Sequence, residues 1–192
     1  MDRKLLEWGR AAAARTPGLP SLWLFTDTER LADPLMAVAR LPKGLAGVVF
    51  RHDFHPDRES LARAVAKICR ARRLVLVVAG DARLAARLHA GVHLRGGASV
   101  GAVRGGGFAT SSAHTAADLR RAARSGARLV FLSPAFATAS HPGAPHLGVA
   151  RWSALARGAG IPVAALGGVD GASIRRLPRR FCCGAGAIGA LA

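Results

Sequence analysis

The stretch Leu74–Leu94, LVLVVAGDARLAARLHAGVHL, decides the fold. Its first six residues form a continuous apolar run, which is typical of a strand that is covered on both faces of a parallel sheet. Asp81 is suited to cap a helix predicted over Asp81–His89, and a second short strand follows at Val92–Leu94. This strand–helix–strand order predicts an α/β protein with a parallel sheet.

The same alternation of short apolar runs with helical or loop segments continues along the chain. It predicts eight strands, at Leu22–Thr26, Gly47–Arg51, Leu74–Ala79, Val92–Leu94, Phe108–Ser111, Leu129–Leu132, Pro162–Leu166 and Gly184–Ile188. Eight such units in 192 residues favour a minimal TIM (β/α)8 barrel formed by a single domain, residues 1–192, over a doubly wound sheet.

Helices are also predicted elsewhere, among them Pro56–Arg72, Thr115–Ser125 and Val149–Ala159. Arg30–Leu41 follows the first strand, and Ser173–Leu177 is a short helix after the seventh. An extra helix within Met1–Ala14 precedes the first strand, and we expect it to plug the floor of the barrel.

Composition excludes several classes of protein. A hydrophobic fraction of 51% excludes disorder, and 3 Cys are too few for a disulfide scaffold. No secretory leader and no uncharged apolar run of about 18 residues is present, so we expect no membrane span and a reducing compartment, the cytoplasm. Trp8 and Trp152, predicted on outer helices, leave homo-oligomer formation open.

The chain is strongly basic, with 28 Lys+Arg against 11 Asp+Glu and a net charge of +17. The arginines are spread over several predicted helices, and Tyr is absent, so the aromatic platform that stacks bases is missing. We therefore expect phosphorylated small molecules as partners and no binding of nucleic acid.

Polar residues gather where the predicted strands end, the place at which barrels carry their chemistry. They are Asp27, Asp53, Asp81 and Asp170, with His52, His55, His93, His114, His141 and His146. Zinc is disfavoured because the chain has no paired C-x-x-C and no predicted helix with an H-x-x-x-H motif. Two glycine turns, Gly167-Gly168 and Gly184–Gly189, favour phosphate binding through backbone N–H groups, with tight strand-to-helix turns as the alternative.

Four motifs, in order, resemble the thiamine phosphate synthase family, which also includes the TenI-type thiazole tautomerases. They are Val75–Leu94, Ser111–Ala117 (SSAHTAA), Leu132–Gly148 (LSPAFATASHPGAPHLG) and Pro162–Val169 (PVAALGGV), and a terminal glycine loop follows at Gly184–Leu191. The resemblance implies a (β/α)8 barrel of thiamine (vitamin B1) biosynthesis that joins hydroxymethylpyrimidine diphosphate to thiazole phosphate and releases diphosphate. Mg²⁺ and cationic side chains would neutralise the leaving group.

The resemblance also implies roles for individual residues. The catalytic candidates are Arg51, the retained cation of the diphosphate pattern, and His114, which matches the tautomerase's acid/base. Asp81 is the retained magnesium carboxylate. The positions expected to bind substrate or phosphate are Ser112, Thr138, Ser140, His141, Gly167, Gly168, Gly186 and Gly189.

The chain departs from the family pattern on its diphosphate side. Asp53 stands where the pattern has a Lys, and Arg95–Ala98 contains no acid where a second magnesium carboxylate belongs. His141 replaces the loop Lys and Gly189 replaces a Ser. We therefore expect a weakened magnesium site in a divergent synthase, with Arg95 as a source of replacement charge. A TenI-like tautomerase and a thiazole-phosphate-binding barrel without catalysis are the alternatives.

Overall fold

The computed structural model describes residues 1–95, 108–138 and 143–192, and in it eight parallel strands close into a barrel. Each strand pairs with the next along the chain, and the last pairs with the first. The predicted TIM (β/α)8 fold is confirmed. The strands are β1 (Leu22–Phe25), β2 (Ala46–Phe50), β3 (Val75–Ala79), β4 (Gly91–Leu94), β5 (Ala109–Ala113), β6 (Leu129–Leu132), β7 (Val163–Leu166) and β8 (Gly184–Ala187).

Six α-helices are present in the described residues. They are α1 (Arg3–Ala13), α2 (Leu35–Arg40), α3 (Arg58–Arg72), α4 (Ala82–Arg87), α5 (Ala116–Arg124) and α6 (Gly148–Arg157). Within this part of the chain, no helix is long and apolar enough to cross a membrane. Most of the glycine-rich segment 95–107, together with Ser140 and His141, lies outside the described residues.

Two predicted helices are shorter than expected. The helix predicted over Arg30–Leu41 begins at Leu35, because the residue before Pro34 is disfavoured in a helix. In addition, Asp27 accepts from the N–H of Arg30, which holds the chain in a separate turn. The segment predicted as a helix at Ser173–Leu177 forms a single 3-10 turn, Ile174–Arg176.

The barrel interior is a packed apolar core. The rings of Phe25 and Phe131 meet edge to face with their centroids 4.8 Å apart, and Trp23 packs edge-on against Phe131 at 5.5 Å. Gly47 makes room for this core, since a Cβ there would lie 2.4 Å from the Trp23 ring. Because the interior is filled, ligands have access only to the ends of the barrel.

Helix α1 lies on the outside of the barrel, so the prediction that it plugs the floor is wrong. Leu5 and Trp8 are buried in the apolar layer between the strands and the helices. Asp2 caps α1 and also accepts a 2.7 Å hydrogen bond from the N–H of Gly171, which follows β7. The apolar face of α1 therefore covers the outer side of the barrel beside β8.

Candidate functional site

A cavity of about 900 Å³ opens where the strands end at the carboxyl edge of the barrel. Its lining comes from the loops after seven of the eight strands. Among the described lining residues, Arg30, Arg51 and Arg95 are cationic and Asp170 is the one acid. An excess of positive charge in a concave site favours anionic ligands.

One wall of the cavity is formed by the turn after β7. Gly167 and Gly168 have φ angles of 86° and 64°, a region in which side chains are disfavoured. A Cβ on Gly168 would lie 2.2 Å from the carbonyl oxygen of Ala137, and one on Gly167 would lie 2.9 Å from Pro134. The loop after β6 therefore packs directly on this turn, and glycine is required at both positions.

The turn after β8 adjoins this wall and is more open. A Cβ on Gly189 would have no heavy atom within 4 Å. In the described part of the chain, the backbone N–H groups of Gly168 and Gly189 donate to no protein acceptor. Unpaired N–H groups beside a cavity are suited to a phosphoryl group. We call Gly167, Gly168 and Gly189 the glycine side.

The guanidinium groups of Arg51 and Arg95 form another part of the lining, which we call the guanidinium side. The backbone N–H of Arg51 is held by the hydroxyl of Thr26 at 2.9 Å. The Arg51 side chain makes no hydrogen bond or ion pair within the described residues. Burial lowers the pKa of the Arg51 guanidinium, and the charge of Arg95 lowers it further, whereas Asp27 raises it. A half-buried cation without a partner is stabilised by an anionic ligand.

His93 holds a hydroxyl group on the cavity wall. Its Nδ1 lies 2.8 Å from the Thr110 hydroxyl and its Nε2 lies 2.9 Å from the Ser112 hydroxyl. Burial, with the charges of Arg51 and Arg95, lowers the pKa of His93 to about 3. The ring is therefore neutral at pH 7, and it fixes Ser112 without adding charge.

His114 stands at the rim with a defined tautomer. Its Nδ1 lies 2.8 Å from the carbonyl oxygen of Ser133, which only accepts, so Nδ1 carries the proton. The Nε2 atom is then left with a lone pair. The backbone N–H of His114 donates to Asp118, a member of the capping box that begins α5. This arrangement suits His114 to accept a proton at the cavity.

Asp81 lies outside the cavity lining and already has partners. Its Oδ1 accepts from the N–H of Leu84 and caps α4. Its Oδ2 accepts from Arg58 Nη1 at 2.8 Å. Arg58 Nη2 lies 3.5 Å from Asp53 Oδ1, and Asp53 is also paired with Arg95.

This set of donors does not fit Mg²⁺, which takes near-octahedral oxygen ligands. Both carboxylates, on Asp53 and Asp81, are paired with guanidinium groups. The residues that the structure describes contain no cluster of three or more His, Cys, Asp or Glu able to hold a metal ion.

The structure brings most of the predicted positions to one cavity. In the lining are Arg51, His114, Ser112, Thr138, Gly167, Gly168, Gly186 and Gly189. Of the other histidines, His93 is also in the lining, whereas His52 hydrogen-bonds through both ring nitrogens, to Thr26 and to the carbonyl of Leu31. Sequence reasoning missed Arg30, Ser133 and the paired role of Arg58. Arg58 is one of many arginines on the predicted helices, so no pattern distinguishes it.

Known proteins resemble the chain along most of its length. A family profile described as thiamine monophosphate synthase matches residues 22–190. The putative thiamine-phosphate synthase 2 of Aquifex aeolicus is 30% identical over 166 residues, which span 82% of this chain and 89% of that protein.

Solved structures show the same fold. A thiamine phosphate pyrophosphorylase from Pyrococcus furiosus superposes with a TM-score of 0.76 at 21% identity, over 88% of this chain and 86% of that one. The corresponding protein from Bacteroides thetaiotaomicron gives a TM-score of 0.63 at 18% identity, over 90% and 84% of the two chains. At these identities the likeness concerns the fold alone.

Proposed function

Because the chain belongs to the thiamine monophosphate synthase family, we propose that it joins hydroxymethylpyrimidine diphosphate to thiazole phosphate and releases diphosphate. One observation carries this proposal. The glycine side and the guanidinium side line the same cavity of about 900 Å³. Two anion-binding sides on one space suit a reaction between two phosphorylated molecules, whereas a tautomerase has a single phosphorylated substrate to hold.

The proposed roles follow from the chemistry of each side. The N–H groups of Gly168 and Gly189 bind the phosphate of the thiazole. Arg51 and Arg95 bind the diphosphate of the pyrimidine. When the bond between the pyrimidine's methylene carbon and the diphosphate oxygen breaks, its electron pair leaves with diphosphate. Fixed guanidinium groups stabilise the charge that develops on that leaving group.

The second half of the reaction forms the new bond. The lone pair of the thiazole nitrogen attacks the methylene cation, and a C–N bond forms. The glycine side fixes the position of the thiazole, which brings its nitrogen to the cation without a loss of rotational freedom at that moment. His93 keeps the Ser112 hydroxyl in place for a hydrogen bond to a bound substrate.

The test is an assay that contains both substrates. It is run once in buffer with Mg²⁺ and once in buffer with EDTA. We expect thiamine phosphate to form, and we expect Arg51→Gln to lower its rate by about a hundredfold, the size of effect that follows removal of a donor to a developing anion. Arg10→Gln is the matched control, because Arg10 is an exposed arginine of α1 outside the cavity lining. Failure of the wild-type protein to form thiamine phosphate in either buffer would eliminate the proposal.

A second candidate, a TenI-like thiazole tautomerase, is favoured by the tautomer of His114. A base with its lone pair on Nε2 at the cavity rim is able to take a proton from the thiazole ring. This candidate predicts exchange of ring protons of thiazole phosphate with deuterium in the absence of metal, followed by NMR. His114→Asn should abolish the exchange, and full exchange in that variant would exclude His114 as the base.

A further inference from the structure

Arg58 occupies the space between two carboxylates that follow neighbouring strands. Its Nη1 lies 2.8 Å from Asp81 Oδ2, and its Nη2 lies 3.5 Å from Asp53 Oδ1. Nη2 also lies 3.3 Å from the carbonyl oxygen of Ala79, the last residue of β3. The Arg58 side chain is 19% exposed, and its guanidinium carbon lies 5.8 Å from the centre of the Phe50 ring. The guanidinium group of Arg58 therefore contacts three oxygen atoms at the carboxyl ends of β2 and β3.

The charges at this edge cancel. Asp53 and Asp81 contribute two negative charges, and Arg58 with the Asp53 partner Arg95 contributes two positive ones. A guanidinium group keeps its charge at all physiological pH values. A divalent cation that entered here would have to displace Arg58 and leave its charge without a partner at a mostly buried position, which is unfavourable.

The same ion pairs explain how Asp53 can lie near a site that binds diphosphate. A bare carboxylate at position 53 would repel a diphosphate group. In the structure, Asp53 is paired with both Arg58 and Arg95. The Arg95 side chain also lies against Gly80, the residue after β3, where a Cβ would make an ordinary contact of 3.4 Å with its Nε. Arg51 adds a cation that the described residues leave unpaired.

We infer that the guanidinium side of the cavity binds diphosphate without a divalent metal, with Arg51 and Arg95 as the anion ligands. Outside the lining, Arg58 stands in for the cation between Asp53 and Asp81. The inference rests on the proposed function, of which it specifies the leaving-group site. It assigns Asp81 a structural role, in the α4 cap and the Arg58 ion pair.

Calorimetric titration with inorganic diphosphate tests the inference separately from catalysis. We expect binding in EDTA that is at least as tight as binding in Mg²⁺, because Arg51 and Arg95 donate to the diphosphate oxygens and both carboxylates are already paired with guanidinium groups. Binding only in Mg²⁺ would overturn the inference and leave the synthase proposal standing. An absence of binding in both buffers would overturn the inference and remove the diphosphate half of the synthase proposal. Binding in EDTA without formation of thiamine phosphate would overturn the synthase alone.

Three variants sharpen the result. Arg51→Gln should weaken diphosphate binding in EDTA by about thirtyfold, as expected for a lost hydrogen bond to a charged group, whereas Arg10→Gln should not weaken it. Asp81→Asn keeps a good helix cap and removes a negative charge, so affinity in EDTA should stay the same or rise. The measurement in Mg²⁺ separates the two roles. Loss of a magnesium carboxylate would weaken diphosphate binding there, so weaker binding by Asp81→Asn than by the wild type in Mg²⁺ would contradict the inference.

Arg58→Gln completes the series. It removes the guanidinium group that lies between the carboxylates of Asp53 and Asp81. We expect weaker diphosphate binding in EDTA and partial recovery on addition of Mg²⁺, so that binding becomes metal-dependent. Unchanged affinity in EDTA would contradict the role of Arg58. The folded state of each variant is checked by circular dichroism, and the affinity of Asp81→Asn in Mg²⁺ decides between the two roles of that carboxylate if Arg58→Gln does not fold.

Discussion

The glycine side and the guanidinium side line one cavity but are built from different materials. The glycine side is backbone, held in place by the close packing of Gly167 and Gly168 on the loop after β6. The guanidinium side consists of two long side chains from separate loops, Arg51 and Arg95, of which Arg95 is placed by its ion pair with Asp53. We expect the glycine side to be sensitive to substitutions that change its shape, and the guanidinium side to substitutions or conditions that change its charge.

The largest effect is expected from adding one methyl group to the glycine side. Gly168→Ala places a Cβ 2.2 Å from the Ala137 carbonyl oxygen at a φ of 64°. We expect the free energy of unfolding to fall by about 3 kcal/mol, from the left-handed backbone and from overpacking together. Thermal denaturation measures this. Gly189→Ala is the matched control, with no heavy atom within 4 Å of its Cβ, and should leave the melting temperature nearly unchanged. Equal melting of Gly168→Ala and wild type would show that the turn is not tightly packed.

The next effect concerns pH and the buried imidazole of His93, whose pKa is lowered by burial and by the charges of Arg51 and Arg95. His93 has an ordinary pKa of 6.5, and in the folded protein burial and these two arginines lower the pKa to about 3. Between these values the unfolded chain binds more protons, so stability is fully present above pH 6.5 and is lost as pH falls. The loss from this group amounts to about 2 kcal/mol by pH 5.

Urea unfolding between pH 7 and pH 4.5 measures that dependence. His93→Asn should start from a lower stability, because its contacts to Thr110 and Ser112 change, but should lose less on acidification. If both proteins lose stability in parallel, His93 is not the group that takes up the proton.

The smallest expected effect is a difference between the two sides in how ligand affinity depends on salt concentration. Raising NaCl from about 0.05 M to about 0.5 M shortens the Debye length from roughly 14 Å to roughly 4 Å. We expect diphosphate affinity to fall by about tenfold and thiazole-phosphate affinity by about twofold, because diphosphate carries more charge and is held by charged side chains. The two Kd values are measured by calorimetry on one protein preparation. Arg51→Gln should flatten the salt dependence of diphosphate alone. Equal slopes for the two ligands would remove the distinction between the sides.

The same difference explains how much the sequence could predict. The alternation of apolar runs with helical segments specifies the barrel, because each strand must be covered on both faces. The glycine turns can be predicted from the sequence, because glycine is favoured where the backbone conformation or a close approach excludes a side chain. Helix α2 begins at Leu35 and not at Arg30, because Pro34 sets the start of the helix even though the helical periodicity extends further back.

Arg51 and Arg95 were named from the sequence, but the ion pairs next to the guanidinium side were not, because the choice of partner depends on three-dimensional placement. Asp81 follows a strand and resembles a family magnesium ligand, yet its side chain is paired with Arg58, which lies 23 positions away along the chain. Nothing in the local sequence of α3 separates Arg58 from Arg63 or Arg70. The place of α1 beside β8 depends in the same way on a distant contact, from Asp2 to Gly171.

The most direct test of the two-sided cavity is a titration of inorganic diphosphate into protein already saturated with thiazole phosphate, in EDTA. We expect both ligands to bind together, one of each per chain, with a diphosphate Kd within about twofold of its value for the free protein. Competition, seen as a diphosphate Kd that rises in proportion to the thiazole phosphate present, would mean that the cavity has one anion site, and it would contradict the account.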